Sequence, residues 1–378
     1  MNAGKLEEHI RALAALPETE APIISCYAEI AGGRVKDPKM CDGQMNALKM
    51  GRTCVEGRLI DDALSPVRLL LSGNLEADSK GLAVFSRAGQ EPYLLFLQFR
   101  VPLPTWITAG KFPSIFHLVE MKDTYERYVV MLGTRERVRI FEINLGELTE
   151  HARMEAAGLG RGQGEKWSKE HYQRRTRENQ RRFVKEQIKV LARLFEAGNH
   201  RHLILAGHPA VTAGIREELP PELAEKLEDV VRVSEKGHCS GIVEATIKAF
   251  VEAEERASQE VAESLARQVH TGGLAVVGGT ASLEALRRNQ VDTLVLLNDY
   301  NPGSVWFCRT CNSVDAGHQP QAPSTCTCCG AEGAEYLDLK EELVRIAEKH
   351  HCAVEVVNKS NFLAEAGGVG CLLRYRNP

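Results

Sequence analysis

Five of the chain's eleven cysteines fall between Cys308 and Cys329. Four of them form two C-x2-C units, Cys308/Cys311 and Cys326/Cys329, with fourteen residues between the units and Cys328 to spare. Each unit puts two thiolates on one tight knuckle, and two knuckles can close a tetrahedral four-sulfur site on zinc. The span between them, "NSVDAGHQPQAPST", is too short and polar to hold a core of its own, so a metal would supply the folding energy. Cys328 competes with Cys329 for the fourth position, and His318 is a weaker substitute. A redox pair would want a strand–helix setting that the sequence around Cys308 lacks. Four protein ligands leave no open coordination position, so the expected zinc is structural. The other six cysteines are scattered, which argues against a disulfide framework and for a reducing, cytoplasmic setting. Cys26, Cys54, Cys239, Cys352 and Cys371 read as small buried hydrophobes.

The rest of the chain alternates apolar strands with helical stretches. Its 378 residues predict two or three domains. Pattern changes divide it into an N-terminal α/β block, 1–123, a middle block, 124–268, and a C-terminal α/β/α block, 269–378. The zinc insert occupies 304–336 of the last. "GLAVFS" and "PYLLFLQF" read as buried strands of the first block, with Trp106 and Phe112 as core or loop anchors. "YVVMLG" and "RVRIFEIN" predict a hairpin around Gly133-Thr134, "HLILAGHP" a strand ending in a glycine turn, and the stretch from Ser240 to His270 a long helix. "VDTLVLLN", "DLKEELVRIAEKHH" and "AVEVVN" give the C-terminal block its strand–helix–strand order. The expected fold class is therefore α/β, three α/β domains with a small zinc ribbon in the last. No apolar run reaches the roughly 18 residues of a membrane span, and no cationic start followed by an apolar run marks a secretion signal.

"GLGRGQGEKWSKEHYQRR", residues 158–175, sets Gln163 among four glycines and runs into a basic segment. From Glu165 to Lys189 there are nine cations and four carboxylates, in a protein whose formal net charge is -4. Lys166, Lys169, Arg174, Arg175, Arg177 and Arg181 supply the leading charges, with Trp167, His171 and Tyr172 among them. Cations with interleaved aromatic rings suit an RNA backbone and its bases; a solvated charged helix is the alternative. Beyond them Phe183, Ile188, Leu191, Leu194 and Phe195 form an apolar stripe that would dock the far end of the helix. A glycine-rich tip allows close backbone approach and positive φ. Glutamine is too weak a base to abstract a proton, so its amide would order the tip or place a water, while tip N–H groups face an oxyanion. The segment lacks the leading strand and the lysine–serine pair of a nucleotide loop. No Asp/Glu/His cluster suggests a nuclease, and His151, His171, His200, His202 and His208 read as surface or RNA-contact histidines.

Three features in this order resemble one family. "RFVKEQIKVLARLF…HLILAGHP" resembles the middle domain of the archaeal and eukaryotic class-I peptide chain release factors and Pelota. "FLAEAGGVGCLLRYR" is similar to their C-terminal glycine-rich strand, and the paired C-x2-C units resemble the zinc minidomain of archaeal members. Bacterial homologues of Balon-like or Vms1-like type share this plan.

The resemblance implies a ribosome-binding factor that enters the A site, touches rRNA and P-site tRNA, and works with a translational GTPase such as elongation factor Tu. The family's catalytic Gly-Gly-Gln falls here on Gly160-Arg161-Gly162-Gln163-Gly164. Gly160, Gly162 and Gln163 are the residues the resemblance marks as catalytic, and Arg161, in place of the first glycine of the triplet, joins the RNA-binding cations. An arginine there restricts φ and carries a charge toward the reacting ester. Two functions follow. One is release by peptidyl-tRNA ester hydrolysis on stalled ribosomes; the other is occupation of the A site without hydrolysis, as in hibernation or rescue. The stop-codon motifs Asn-Ile-Lys-Ser and Tyr-x-Cys-x-x-x-Phe do not occur in residues 1–123, where "CDGQMNALKMGRTCVEGRL" takes the corresponding place. Gly367, Gly368 and Gly370 read as strand-packing glycines.

Overall fold

In the computed structural model the described residues are 3–50, 53–134, 137–155, 169–233, 239–308, 310–311, 313–315, 325–332 and 334–375. The chain divides into two units. One joins Ala3–Thr124 to Glu255–Pro378, and the other is Tyr125–Glu254. Three α/β sheets and a small three-stranded insert sheet carry them, the α/β fold class that alternation predicts.

In the first unit, strand Ile23–Ala31 pairs antiparallel with Gly81–Arg87 on one side and Trp106–Gly110 on the other, and Tyr93–Phe99 extends the sheet. Strand alternation sends Ile24, Cys26 and Ala28 to one face. There they meet Ile60, Ala63, Leu64 and Val67 of helix Cys54–Ser72. That helix starts on a capping box: Thr53 accepts from the Glu56 N–H and Glu56 returns to the Thr53 N–H. Cys54, expected to be buried, is exposed at the start of this helix. Trp106, expected as an anchor, is 48% exposed on an edge strand. Cys26, Cys352 and Cys371 are buried as expected, and Cys239 lies on the helix Cys239–His270, with its side chain outside the description.

The opposite face of that sheet, with Ser25 and Tyr27, closes against residues from the far end of the chain. The Tyr27 hydroxyl donates to the Ser114 carbonyl at 2.5 Å, and the Ser114 N–H donates to Ser25 Oγ at 2.9 Å. Glu341, on helix Leu339–Lys349, then accepts from the Ser114 hydroxyl and from the N–H groups of Ile115 at 2.8 Å and Phe116 at 3.2 Å. These amides open helix Phe116–Thr124, so a carboxylate sits where the helix dipole favours it. Burial nevertheless pushes the Glu341 carboxyl above its usual range. Lys122 pairs with Glu348 at 2.8 Å, and Asp123 accepts from the Val356 N–H at 2.9 Å. The first and last blocks of the sequence thus pack as one unit.

The C-terminal sheet runs Ala275–Val277, Val369–Leu373, Val291–Leu297, Ala353–Val357, antiparallel except for the last pair. Gly368 has φ +79°, and a Cβ there would meet the Tyr300 ring at 2.6 Å. Close packing accounts for this glycine, as the sequence suggests.

The second unit is an α/β/α sandwich with strand order Leu227–Arg232, His202–Gly207, Tyr128–Gly133, Arg137–Asn144, Glu147–Glu155. The first three are parallel and the last two antiparallel. Val129, Met131, Leu203 and Leu205 face the helices Lys169–Gly198 and Pro209–Glu218. Tyr128, Val130, Ile204 and Ala206 face the helix Cys239–His270 through Ile242, Ala249 and Phe250. That helix begins one residue before the expected Ser240 start. Strand Glu147–Glu155 is not foreseen from the sequence; six of its nine residues are polar, and Leu148, Ala152 and Met154 are its apolar contacts to the cores.

Two histidines at the start of strand His202–Gly207 are not surface groups. His200 is 2% exposed, and burial followed by the nearby Arg127 charge lowers its pKa, so it is held neutral. His202 lies 2.8 Å from Glu228, 3.3 Å from Glu126 and 3.8 Å from Glu254. Burial opposes its charged form, but hydrogen bonds to Glu126 and Glu228 and the Glu254 charge outweigh it and raise the pKa to about 9. A raised folded-state pKa gives stability that is present in full below the unfolded value near 6.5 and is lost as pH rises through 9. The expected loss across that window is about 1–2 kcal/mol, allowing for solvent screening. Urea midpoints at the two ends of the window should show this slope in the parent chain, and His202→Gln should flatten it; an unchanged slope in the variant would exclude His202 as its source.

Candidate functional site

The middle sheet has a well-defined upper edge. Register pairs Arg232 with Gly207, Gly207 with Gly133, Gly133 with Val138 and Val138 with Met154. These five residues form one row across all five strands. The chain leaves this edge at Glu155 and returns as the helix starting at Lys169. Gly160, Arg161, Gly162, Gln163 and Lys166 therefore lie between a sheet strand and a long helix, in a segment outside the described residues.

The helix Lys169–Gly198 has thirty residues, about 45 Å at 1.5 Å per residue. Its distal half docks as the apolar stripe predicts: Val184, Ile188, Leu191 and Phe195 are buried against the sheet. Phe183 and Leu194 are partly buried at the margin of that core. Lys169, Arg174, Arg175 and Arg177 stand on the proximal half, with side chains outside the description. Arg181 is exposed and pairs with Glu218, which also holds Lys185 at 3.3 Å. The Arg181 hydrogen bond lowers the Glu218 carboxyl's pKa. Arg181 thus tethers its helix to Pro209–Glu218, a contact the local sequence gives no sign of, since Glu218 is 37 residues away.

The insert is a three-stranded antiparallel sheet, Val314–Asp315, Ser304–Cys308 and Ala334–Asp338. It brings Cys308, Cys311, Cys326 and Cys329 together, with all four sulfurs within 4.8 Å of one another. Cys308 lies 3.6 Å from Cys329, and Cys311 lies 3.6 Å from Cys326. A tetrahedral ion with 2.3 Å bonds to sulfur spaces its ligands about 3.8 Å apart, so the four sulfurs fit one ion. Cys328 stays outside this set and is exposed, its N–H donating to Cys326 Sγ at 3.4 Å. Bonds from the Ser313 hydroxyl and from the N–H groups of Cys329 and Cys328 lower the Cys326 thiol to about 6, which readies it as a thiolate ligand. His318 lies outside the described residues.

Residues 113–249 match the profile of a family described as bacterial archaeo-eukaryotic release factor family 10. The match covers 137 of the chain's 378 residues, a region similar to that release-factor family. The matched span takes in the helix Phe116–Thr124 and nearly all of the second unit, with Gln163 inside it. Several solved structures are similar. An archaeal translation termination factor, aRF1, shares 18% identity over 99% of both chains, with a TM-score of 0.28. Pelota of Archaeoglobus fulgidus shares 14% over 78% of this chain and 80% of its own, with a TM-score of 0.36. An archaeal Pelota in a model of ribosome-bound Pelota and ABCE1 shares 14% over 100% of this chain and 95% of its own, with a TM-score of 0.43. No curated protein matches. Among the described residues no helix is long and apolar enough to cross a membrane.

Glu341 and the His202 cluster went unseen in the sequence. Glu341 follows the helix cap Asp338 by three residues, accepted there through its N–H at 3.2 Å, and so reads as an ordinary first-turn acid. Only its long-range partners distinguish it.

Proposed function

We propose that this chain is a ribosome-binding translation factor that enters the A site and presents Gln163 to the peptidyl-tRNA ester in the P site. The observation that carries the reading is the family match over 113–249, which takes in the Gly160–Gln163 segment. The strand before that segment and the basic helix after it give two fixed anchors. Lys166, Lys169, Arg174, Arg175 and Arg177 would neutralise rRNA phosphates along the approach. Gln163 would then orient the attacking water, and the N–H groups beside Gly162 would donate to the developing oxyanion. Zinc suits the four-thiolate set as a closed structural ion. In this reading the blocks 1–123, 124–268 and 269–378 act as separate functional regions, the last meeting a translational GTPase such as elongation factor Tu.

Arg161 favours a second reading, in which the factor holds the A site of idle or stalled ribosomes without hydrolysis. Its side chain restricts the backbone where the family pattern has glycine, and it adds a charge near the ester.

Ribosomes carrying labelled peptidyl-tRNA in the P site and an empty A site separate the two. Hydrolysis predicts peptide release that falls at least a hundredfold in Gln163→Ala, the scale of losing one positioned transition-state contact, with ribosome co-sedimentation unchanged. Binding without release, equal in parent and Gln163→Ala, would support the second reading. Loss of both together would remove the ribosome from the account.

A further inference from the structure

We propose that Arg216 and Arg232 form a phosphate-binding subsite that takes a backbone phosphate of RNA at the same sheet edge from which the glutamine segment departs. This rests on the RNA-binding reading above and extends it to residues outside the basic helix. A cavity of about 260 Å³ opens at the ends of strands His202–Gly207 and Leu227–Arg232, lined by Gly207, Pro209, Thr212, Arg216, Val231 and Arg232 among others. Both arginines are exposed, and among the described residues neither guanidinium pairs with a carboxylate. Arg139 and Arg181 of the same unit are held by Glu150 and Glu218. Two unpaired guanidiniums at one concavity repel each other until an anion joins them, and phosphate matches their planar donors.

The cavity wall does not compete for that anion. The Thr212 hydroxyl is turned to the carbonyls of His208 and Pro209 at 3.4 and 3.2 Å. Gly207 has φ +139°, and a Cβ there would meet the Gly133 carbonyl at 2.2 Å, so this corner stays free of side chain. The amino end of the ten-residue helix Pro209–Glu218 lies at the same place and adds a favourable field.

Position links the cleft to the site. Arg232 and Met154 are the two ends of the five-residue row. At about 4.8 Å per strand they stand roughly 19 Å apart. An RNA backbone lying along this edge would pass the arginines and then reach the point where the chain leaves toward Gln163.

The test is anisotropy titration of the full chain with a short, labelled, unstructured single-stranded RNA across roughly 50–200 mM salt. Replacing both residues, Arg216→Gln with Arg232→Gln, is expected to weaken binding about tenfold. It should also lower the slope of log affinity against log salt by about 0.7, the value for one single-strand phosphate. Arg216→Lys with Arg232→Lys should restore most of the slope, and thermal unfolding of all three proteins should coincide. Parental affinity and slope in the glutamine variant, with binding lost in a Lys169→Gln, Arg174→Gln, Arg175→Gln variant, would overturn the subsite and leave the functional reading standing. No RNA or ribosome binding by the parent would overturn both. A nucleoside monophosphate that binds the parent but not the glutamine variant, with RNA affinity unaltered, would assign the cleft to free nucleotides and also overturn the proposal.

Discussion

Removing the zinc proposed for the four-cysteine cluster, by a strong chelator or by Cys326→Ser, is expected to unfold the insert sheet and leave the Tyr125–Glu254 unit folded. The described part of the insert has little core of its own: Val305 and Trp306 are buried, and the Trp306 and Tyr336 rings stand 3.6 Å apart. Structural zinc in comparable small domains contributes about 10–16 kcal/mol of apparent binding free energy at neutral pH, far more than one aromatic pair supplies at about 0.5–1.5 kcal/mol. The readout is metal content together with the emission of Trp306, 6% exposed in the folded insert, compared with a Trp306→Phe control. Cys328→Ser is the discriminating variant. Its sulfur lies outside the four-sulfur set, so metal content should stay at the parental value. A Cys326→Ser protein that keeps its metal, or a Cys328→Ser protein that loses it, would show that the ligand set is wrong.

Glu341→Ala is expected to cost about 2–4 kcal/mol, the scale of breaking a buried, multiply hydrogen-bonded charged group. The variant leaves the N–H groups of Ile115 and Phe116 and the hydroxyl of Ser114 without their acceptor. Two of these lie at the start of helix Phe116–Thr124. Glu341→Gln should cost less, since one amide oxygen still accepts while the NH2 opposes a donor. Urea unfolding of the three proteins measures the order. An alanine variant within about 0.5 kcal/mol of the parent, the range of ordinary surface substitutions, would mean that the junction draws its stability elsewhere.

The two predictions mark where sequence reading stops. The four-cysteine cluster was legible because its chemistry is local. Ligand spacing sets the knuckles, and the choice between Cys328 and Cys329 turned on which sulfur the backbone aims inward. The apolar strands and the docked half of the basic helix were legible from periodicity, as Val129, Met131 and Leu191 show. Strand Glu147–Glu155 was not, because Glu150 interrupts the alternation of Leu148, Ala152 and Met154 with polar residues and leaves only a weak period-two signal. Glu341, His202 and the Arg181–Glu218 tether are long-range pairs; each looks like ordinary surface charge until the fold brings its partner near. Trp106 was misjudged for a related reason. Size and aromaticity suggested an anchor, but its strand sits at the sheet edge.

The interlocked ends have a consequence for biosynthesis. Ser25, Tyr27 and Ser114 are made more than two hundred residues before Glu341, Glu348 and Val356. The middle unit is continuous in sequence and can complete its sandwich on the way. The bonds from Ser114, Ile115 and Phe116 to Glu341 must wait until more than two hundred further residues have been added, so of the three blocks the first to leave the exit tunnel is among the last to be sealed.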